Sequence, residues 1–231
     1  MSSELSFAGK PLTIRVSPRA RRLRLRVDPR TREVLLTVPR RTSQRHALAW
    51  VAGHRDWIES RLAEIPEAEP IVPGGTIPYR GKRLTIDWLA ERPRRIDQVG
   101  SRLVVGGPVE TLEGRVLRWL KARALAVLSQ ESAEVAAAAG ARLVAVGVGD
   151  PVSRWGSCSS AGRIRYSWRL ILAPDFVRKA TVAHEVAHLV HLNHGREFHR
   201  LVEVLLGEDS RPARLWLRRK GAALHRLGRR T

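Results

Sequence analysis

The stretch from Thr181 to His199 constrains this chain most. It contains His184-Glu185-x-x-His188, and five of the eight histidines fall between positions 184 and 199. On an α-helix, residues four apart lie one turn above each other on the same face. Two imidazoles at that spacing reach a single metal ion. Glu185 follows the first by one position, so it falls beside the metal rather than on it. There it takes a proton from a water that the metal activates. This is the HExxH pattern of zinc hydrolases.

The flanking residues set the pattern on a helix. Phe176, Val177, Ala180, Ala183, Val186, Ala187 and Val190 recur at helical spacing, and Pro174 and Asp175 form a helix start. The plain alternative is a core helix with two incidental histidines; Glu185 and the downstream histidines weigh against it. Catalytic zinc usually has three protein ligands plus water. His191 continues the stripe, but three histidines in line on a straight helix do not converge, because each turn rises about 5.4 Å. The chain has to bend back. Asn193 and Gly195 tolerate left-handed or turn geometry and are expected to end the helix. His194 then returns toward the metal, at the spacing of HExxHxxGxxH enzymes with His191 where their glycine stands. The expected site is therefore one zinc ion per chain held by His184, His188 and His194, with Glu185 as catalytic base. His199 and Glu203, on the next helix, are the rival third ligands.

Composition narrows the class. A chain of 231 residues buries a full core, and 43% hydrophobic content excludes general disorder. The single cysteine, Cys158, excludes an internal disulfide framework and suggests a reducing compartment. Met1 to Ser6 lack the basic and apolar regions of a signal peptide. The richest apolar run, Val135 to Val148, is full of alanine and glycine and contains Arg142, so no membrane span is expected. The expectation is a soluble, cytoplasmic protein of undetermined oligomeric state. Lys and Arg number 42 against 22 Asp and Glu, a net charge of +20, which invites a polyanion such as nucleic acid. The charge is spread from Arg15 to Arg230, so a solvated basic surface competes with that reading.

Taken in order, residues 11–38 read as strands, with Leu23, Leu25 and Val27 alternating against Arg22, Arg24 and Arg26. A turn from Asp28 to Arg32 precedes a return strand at 34–38. Thr42 or Ser43 caps one helix running to about Ala63, and prolines and glycines over 66–78 mark a loop. Strands are expected near 82–88, 94–98 and 102–105, then a long helix over 110–139 stopped by Gly140. Strands at 142–148, 151–156 and 163–172 follow, and helices after the metal helix close the chain. The division that results is a β-rich region with one helix over 1–105 and a catalytic domain over 106–231.

The run from Ser153 to Ser160 (Ser-Arg-Trp-Gly-Ser-Cys-Ser-Ser), Trp168 to Pro174, the HExxH segment and Asn193-His194 together resemble the YgjP-like family of zinc-dependent hydrolases, and more distantly the SprT-like proteases. Arg19–Val38, His54–Ile58, Pro78–Lys82 and Trp216–Arg219 extend the likeness over most of the chain. The resemblance implies an α+β, zincin-like metalloprotease fold: a long helix, a small antiparallel or mixed sheet, and the HExxH helix under the sheet edge, behind an N-terminal β-rich region. The family usually has Trp where His199 stands and Asn where Ser167 stands. Arg154, Trp155, Ser157 and Cys158 are expected to shape the substrate cleft beside the metal. A tight turn that packs Trp155 into the core is the alternative.

Three functions compete. A metallopeptidase would use zinc to polarise the scissile carbonyl, Glu185 to move the proton, and an edge strand of the 151–172 sheet to hold an extended peptide. A nucleoside triphosphate (UTP-type) pyrophosphatase would exploit the abundant arginine, although the chain has no P-loop and no acidic cluster for magnesium. A nucleic-acid-associated, SprT-like protease would use the basic surface. Peptide or nucleotide is the expected substrate.

Overall fold

The alternation of apolar and charged residues builds the first sheet. A computed structural model describes residues 5–28, 31–65 and 68–228. In it β1 (Leu5–Phe7), β2 (Lys10–Ser17), β3 (Arg24–Val27) and β4 (Val34–Pro39) form one sheet in the order β1-β2-β4-β3. Its central pair, β2 with β4, is parallel, and the outer pairs are antiparallel. Val34, Leu36 and Val38 turn inward at period two, and α1 (Gln44–Ala52) and α2 (Arg55–Ala63) cover them with Ala47, Val51, Ile58 and Leu62. The sequence predicts one helix here, but there are two. The Ser43 hydroxyl accepts from the His46 amide at the start, and Gly53, a weak helix former, closes α1. His54 opens α2, its Nδ1 lying 2.8 Å from the Trp50 carbonyl. Pro29 and Arg30 of the expected 28–32 turn, and Pro66 and Glu67 of the expected loop, lie outside the described residues.

The chain divides into a first compact unit ending at Ala68 and a second spanning Glu69–Gly228, rather than at the 105/106 boundary that the sequence suggests. The reason is apolar burial. β5 (Thr76–Tyr79), β6 (Lys82–Trp88), β7 (Ile96–Val99) and β8 (Arg102–Val105) form a second four-stranded sheet. Its Ile77, Leu84, Ile86, Leu103 and Val105 share one core with Leu112, Val116 and Leu120 of the long helix α3 (Leu112–Ala138). Its order, β5-β6-β8-β7, and its antiparallel–parallel–antiparallel pairing repeat those of the first sheet. α3 stops where the sequence indicates, with Gly140 at φ +61°.

The third sheet frames the site. β9 (Ala145–Gly149), β10 (Gly156–Cys158) and β11 (Arg163–Ser167) run in the order β10-β11-β9; β11 is antiparallel to β10 and parallel to β9. The expected strand at 151–156 is a loop, with β10 starting only at its end. The expected strand at 163–172 stops at Ser167, and Trp168–Leu172 form a 3-10 turn. All residues of that turn are buried, so no solvent face remains to support alternation. The Ser167 hydroxyl accepts from the Arg169 amide, which turns the chain there.

Three helices complete the unit: α4 (Asp175–Ala187), α5 (Arg196–Leu206) and α6 (Arg211–Leu224). α4 packs against α3, α5, α6 and β10. Its first turn is locked by ions. The Arg178 guanidinium, 0% exposed, donates to Glu131 of α3 at 2.7 and 2.9 Å and to Asp175 at 2.6 Å. Arg80, in the turn between β5 and β6, donates two hydrogen bonds to the same Asp175 at 2.6 and 3.1 Å. The described residues thus make an α+β protein with mixed sheets. Among them no helix is long and apolar enough to cross a membrane.

Candidate metal centre

α4 carries His184 and Glu185 in its last helical turn, and His188 directly follows it. The helix ends earlier than expected. Neither Asn193 nor Gly195 adopts a left-handed conformation; Gly195 is extended, at φ −77° and ψ −175°, and opens α5. The bend comes instead from a turn over 188–190, in which the Leu189 and Val190 amides donate to the Val186 and Ala187 carbonyls. The segment 191–195 then crosses back, and it brings His194 to His184.

One ring nitrogen from each of His184, His188 and His194 lies within 4.8 Å of the other two. His184 Nε2 and His194 Nε2 are 3.2 Å apart. Two nitrogens bound tetrahedrally at about 2.0–2.1 Å from one ion stand roughly 3.3 Å apart, so this pair already has the required separation. His188 Nδ1 lies 3.1 Å from the His191 carbonyl, which can only accept; Nδ1 therefore carries the proton and Nε2 keeps its lone pair. His191 thus acts through its backbone. His199 and Glu203 are exposed and stand outside the cluster of three among the described residues.

Phe198 supports all three rings. It is buried, and its ring centroid lies 4.9, 4.5 and 4.7 Å from those of His184, His188 and His194. Burial, with the neighbouring His188 and His194, pushes the His184 pKa down to about 4. Burial also lowers that of His188, against the hydrogen bond to His191. Both rings are therefore neutral at neutral pH, the state that ligates a metal.

Glu185 is only 6% exposed. Burial raises its pKa to about 7, against the pull of Arg154. A cation bound next to it would lower this again. Its carboxyl faces Gly156 of β10 so closely that a Cβ at 156 would lie 2.6 Å from Glu185 Cδ. The glycine of the Trp-Gly-Ser run therefore makes room for the carboxylate.

A cleft of about 280 Å³ opens beside the cluster, with His184, Glu185, Arg154, Trp155, His199 and Arg214 among its lining residues. Of the four expected cleft residues, Arg154 and Trp155 line it. Trp155 also packs over Gly221 of α6 and 5.4 Å from His225. Ser157 and Cys158 are half-buried on β10 and do not line the cleft. Cys158 packs against the core, and burial, with Glu185 nearby, raises its thiol pKa. That is the opposite of what an activated nucleophile needs. Phe198, Gly156 and Arg214 are site residues that sequence reasoning did not single out. The apolar residue just before His199 was the available signal for Phe198. Arg214 had none.

An α+β unit with three clustered imidazoles, and a carboxyl of raised pKa beside them in a cleft, has the composition of a metal-dependent hydrolase. The chain belongs to the YgjP-like family: the family model for the YgjP-like metallopeptidase domain matches residues 21–220. No curated protein and no solved structure matches the chain.

Proposed function

We propose that the protein is a zinc metallopeptidase with a zincin-like catalytic unit, in which His184, His188 and His194 hold the metal and Glu185 is the general base. The observation that carries the reading is the cluster of three imidazoles with the Glu185 carboxyl next to it at one cleft. An all-nitrogen set of three ligands with a side open to the cleft suits zinc better than calcium or magnesium, which prefer oxygen. Zinc, when bound, polarises a carbonyl and acidifies water. Glu185 takes the proton of the attacking water and returns it to the leaving amine. The edge strand β10 runs beside α4 and has a ladder side free of any strand partner among the described residues, so an extended peptide can pair there.

Arg154 and Arg214 in the same cleft favour a second reading, hydrolysis of a nucleoside triphosphate, whose phosphates they would neutralise. A panel of peptides and nucleoside triphosphates, assayed on zinc-loaded wild type and Glu185→Gln in parallel, tests both. The peptidase reading expects peptide cleavage that falls about 10²–10⁴-fold in the variant while metal content stays full. Full activity of Glu185→Gln refutes the mechanism, and cleavage of triphosphates alone replaces the substrate.

A further inference from the structure

The first unit carries a concentration of cations of its own. Six arginines fall within positions 15–26: Arg15, Arg19, Arg21, Arg22, Arg24 and Arg26. All six are exposed. Across the outer face of the sheet, Thr37 of β4 is paired with Arg15 of β2 on one side and Arg24 of β3 on the other. None of the six is ion-paired among the described residues. Cations crowded without counter-charge repel one another, so folding alone gives no reason for the cluster.

The loop before β3 and the helices α1 and α2 enclose a groove of about 850 Å³. Arg19, Arg21, Arg22 and Arg24 line it together with Trp50, His54 and Trp57, and no aspartate or glutamate does. The three aromatic residues are spaced four and then three apart, one helical face across the α1–α2 break. Trp50 and His54 lie ring on ring, with centroids 3.9 Å apart and planes 31° from parallel. Trp57 is 40% exposed and takes no part in the core of this unit.

Arginines beside an exposed indole, itself approached by Arg61 at 5.7 Å from the ring centroid, and a half-buried Trp–His pair, with no carboxylate in the lining, match one class of ligand. The cations attract a phosphate backbone, and the rings stack on bases. Unpaired bases have free faces; in a duplex those faces are already stacked on their neighbours. An acidic peptide would satisfy the arginines but has nothing to stack on the indoles. A membrane surface would need a broader apolar wedge than one exposed indole. We propose that this groove binds single-stranded nucleic acid, its phosphates on Arg19, Arg21 and Arg22 and its bases against Trp57 and the Trp50–His54 pair.

Fluorescence anisotropy on the full chain tests this with labelled oligo-dT and oligo-U of about 20 nucleotides, longer than the site of a typical single-strand binding fold. Duplex DNA, polyglutamate and anionic vesicles serve as competitors, and the two oligonucleotides separate DNA from RNA as the source of the same chemistry. Removing Arg19, Arg21 and Arg22 together, each to Ala, should weaken binding and reduce the slope of log K against log salt by about 2, at roughly 0.7 per single-strand phosphate. Trp57→Ala should weaken binding about five- to a hundredfold, and Trp57→Phe should keep most of the affinity. Should Trp57→Ala fail to fold, the arginine triple decides through the salt slope. The proposal is overturned if wild type does not bind either oligonucleotide at low salt, or if the variants bind as wild type does. It is equally overturned if duplex, polyglutamate or vesicles compete as well as the single strands.

Discussion

Gly156→Ala probes the contact between β10 and Glu185. The new methyl group would start 2.5 Å from Glu185 Cγ and closer still to Oε1, and ordinary contact begins at 3.4 Å, so something must yield by about 0.9 Å. The strand is held by pairing of Gly156, Ser157 and Cys158 with β11. The Glu185 side chain can rotate, and it yields first. Because the yielding atoms, Cγ to Oε1, belong to one side chain rather than to the paired strand, the cost in stability should lie near the low end for overpacking, about 1 kcal/mol. For a chain of this size that is a fall in Tm of about 2–4 °C. The same displacement is expensive for catalysis, where a misplacement of about 1 Å costs on the order of a hundredfold. The assay is turnover of the best peptide substrate by zinc-loaded protein, with zinc per chain and Tm measured on the same sample. The expected result is near-normal zinc, a small drop in Tm and a loss of about a hundredfold in kcat. Turnover within about twofold of wild type would refute the claim that this glycine sets the position of the base.

Other perturbations address the rest of the unit. His194→Ala should lower zinc affinity strongly, whereas His191→Ala should change it little, because His191 contributes its carbonyl; equilibrium dialysis reads both, and the reverse order would refute the ligand set. Arg178→Met should destabilise the protein by about 3 kcal/mol, below the upper range for a broken buried pair because Asp175 is partly solvated; the measurement is chemical denaturation, and a change of less than about 1 kcal/mol would show that the Glu131–Arg178–Asp175 network is not what anchors α4. Asp175 is held well below its ordinary value of 3.8, first by its bond to Arg80 and then by Arg178 against the cost of burial. A depressed carboxylate gives stability that is present above its unfolded pKa and lost as pH falls toward the folded one. Wild-type Tm should therefore drop as pH falls below about 4, and Asp175→Asn should flatten that part of the curve; parallel curves would refute the assignment.

The metal helix was legible because its signal is periodic. The four-residue spacing of His184 and His188 and the stripe around them need no tertiary information. The return of His194 was legible only in outcome. The bend was expected at Asn193 or Gly195 from intrinsic turn preferences, and it comes at 188–190, where the backbone tightens and His191 turns its carbonyl to His188. Trp168 to Leu172 reads as strand because its neighbours alternate; total burial on all sides hides the difference between strand and turn. Arg178 illustrates the opposite failure. On a helix it looks like a solvated charge, and nothing local reveals that Glu131, 47 residues earlier, waits inside for it. Gly156 stands in the Ser153–Ser160 run that carries the family resemblance, but its reason is a side chain 29 positions away.

The repeated sheets bear on the order in which the molecule can be made. Every strand partner in the first sheet lies within residues 5–39, and every partner in the second lies within 76–105. Each ladder closes over a short span of chain, where loop-closure entropy is small. As synthesis proceeds from the N-terminus, both sheets can therefore be complete before His184 leaves the ribosome. Arg80 and Glu131, which meet the start of α4 through Asp175 and Arg178, have also been made by then. The anchors wait for the helix, and the three histidines arrive within an eleven-residue burst, from 184 to 194. The candidate metal ligands thus come late in the nascent chain, after the strands of both four-stranded sheets have been made.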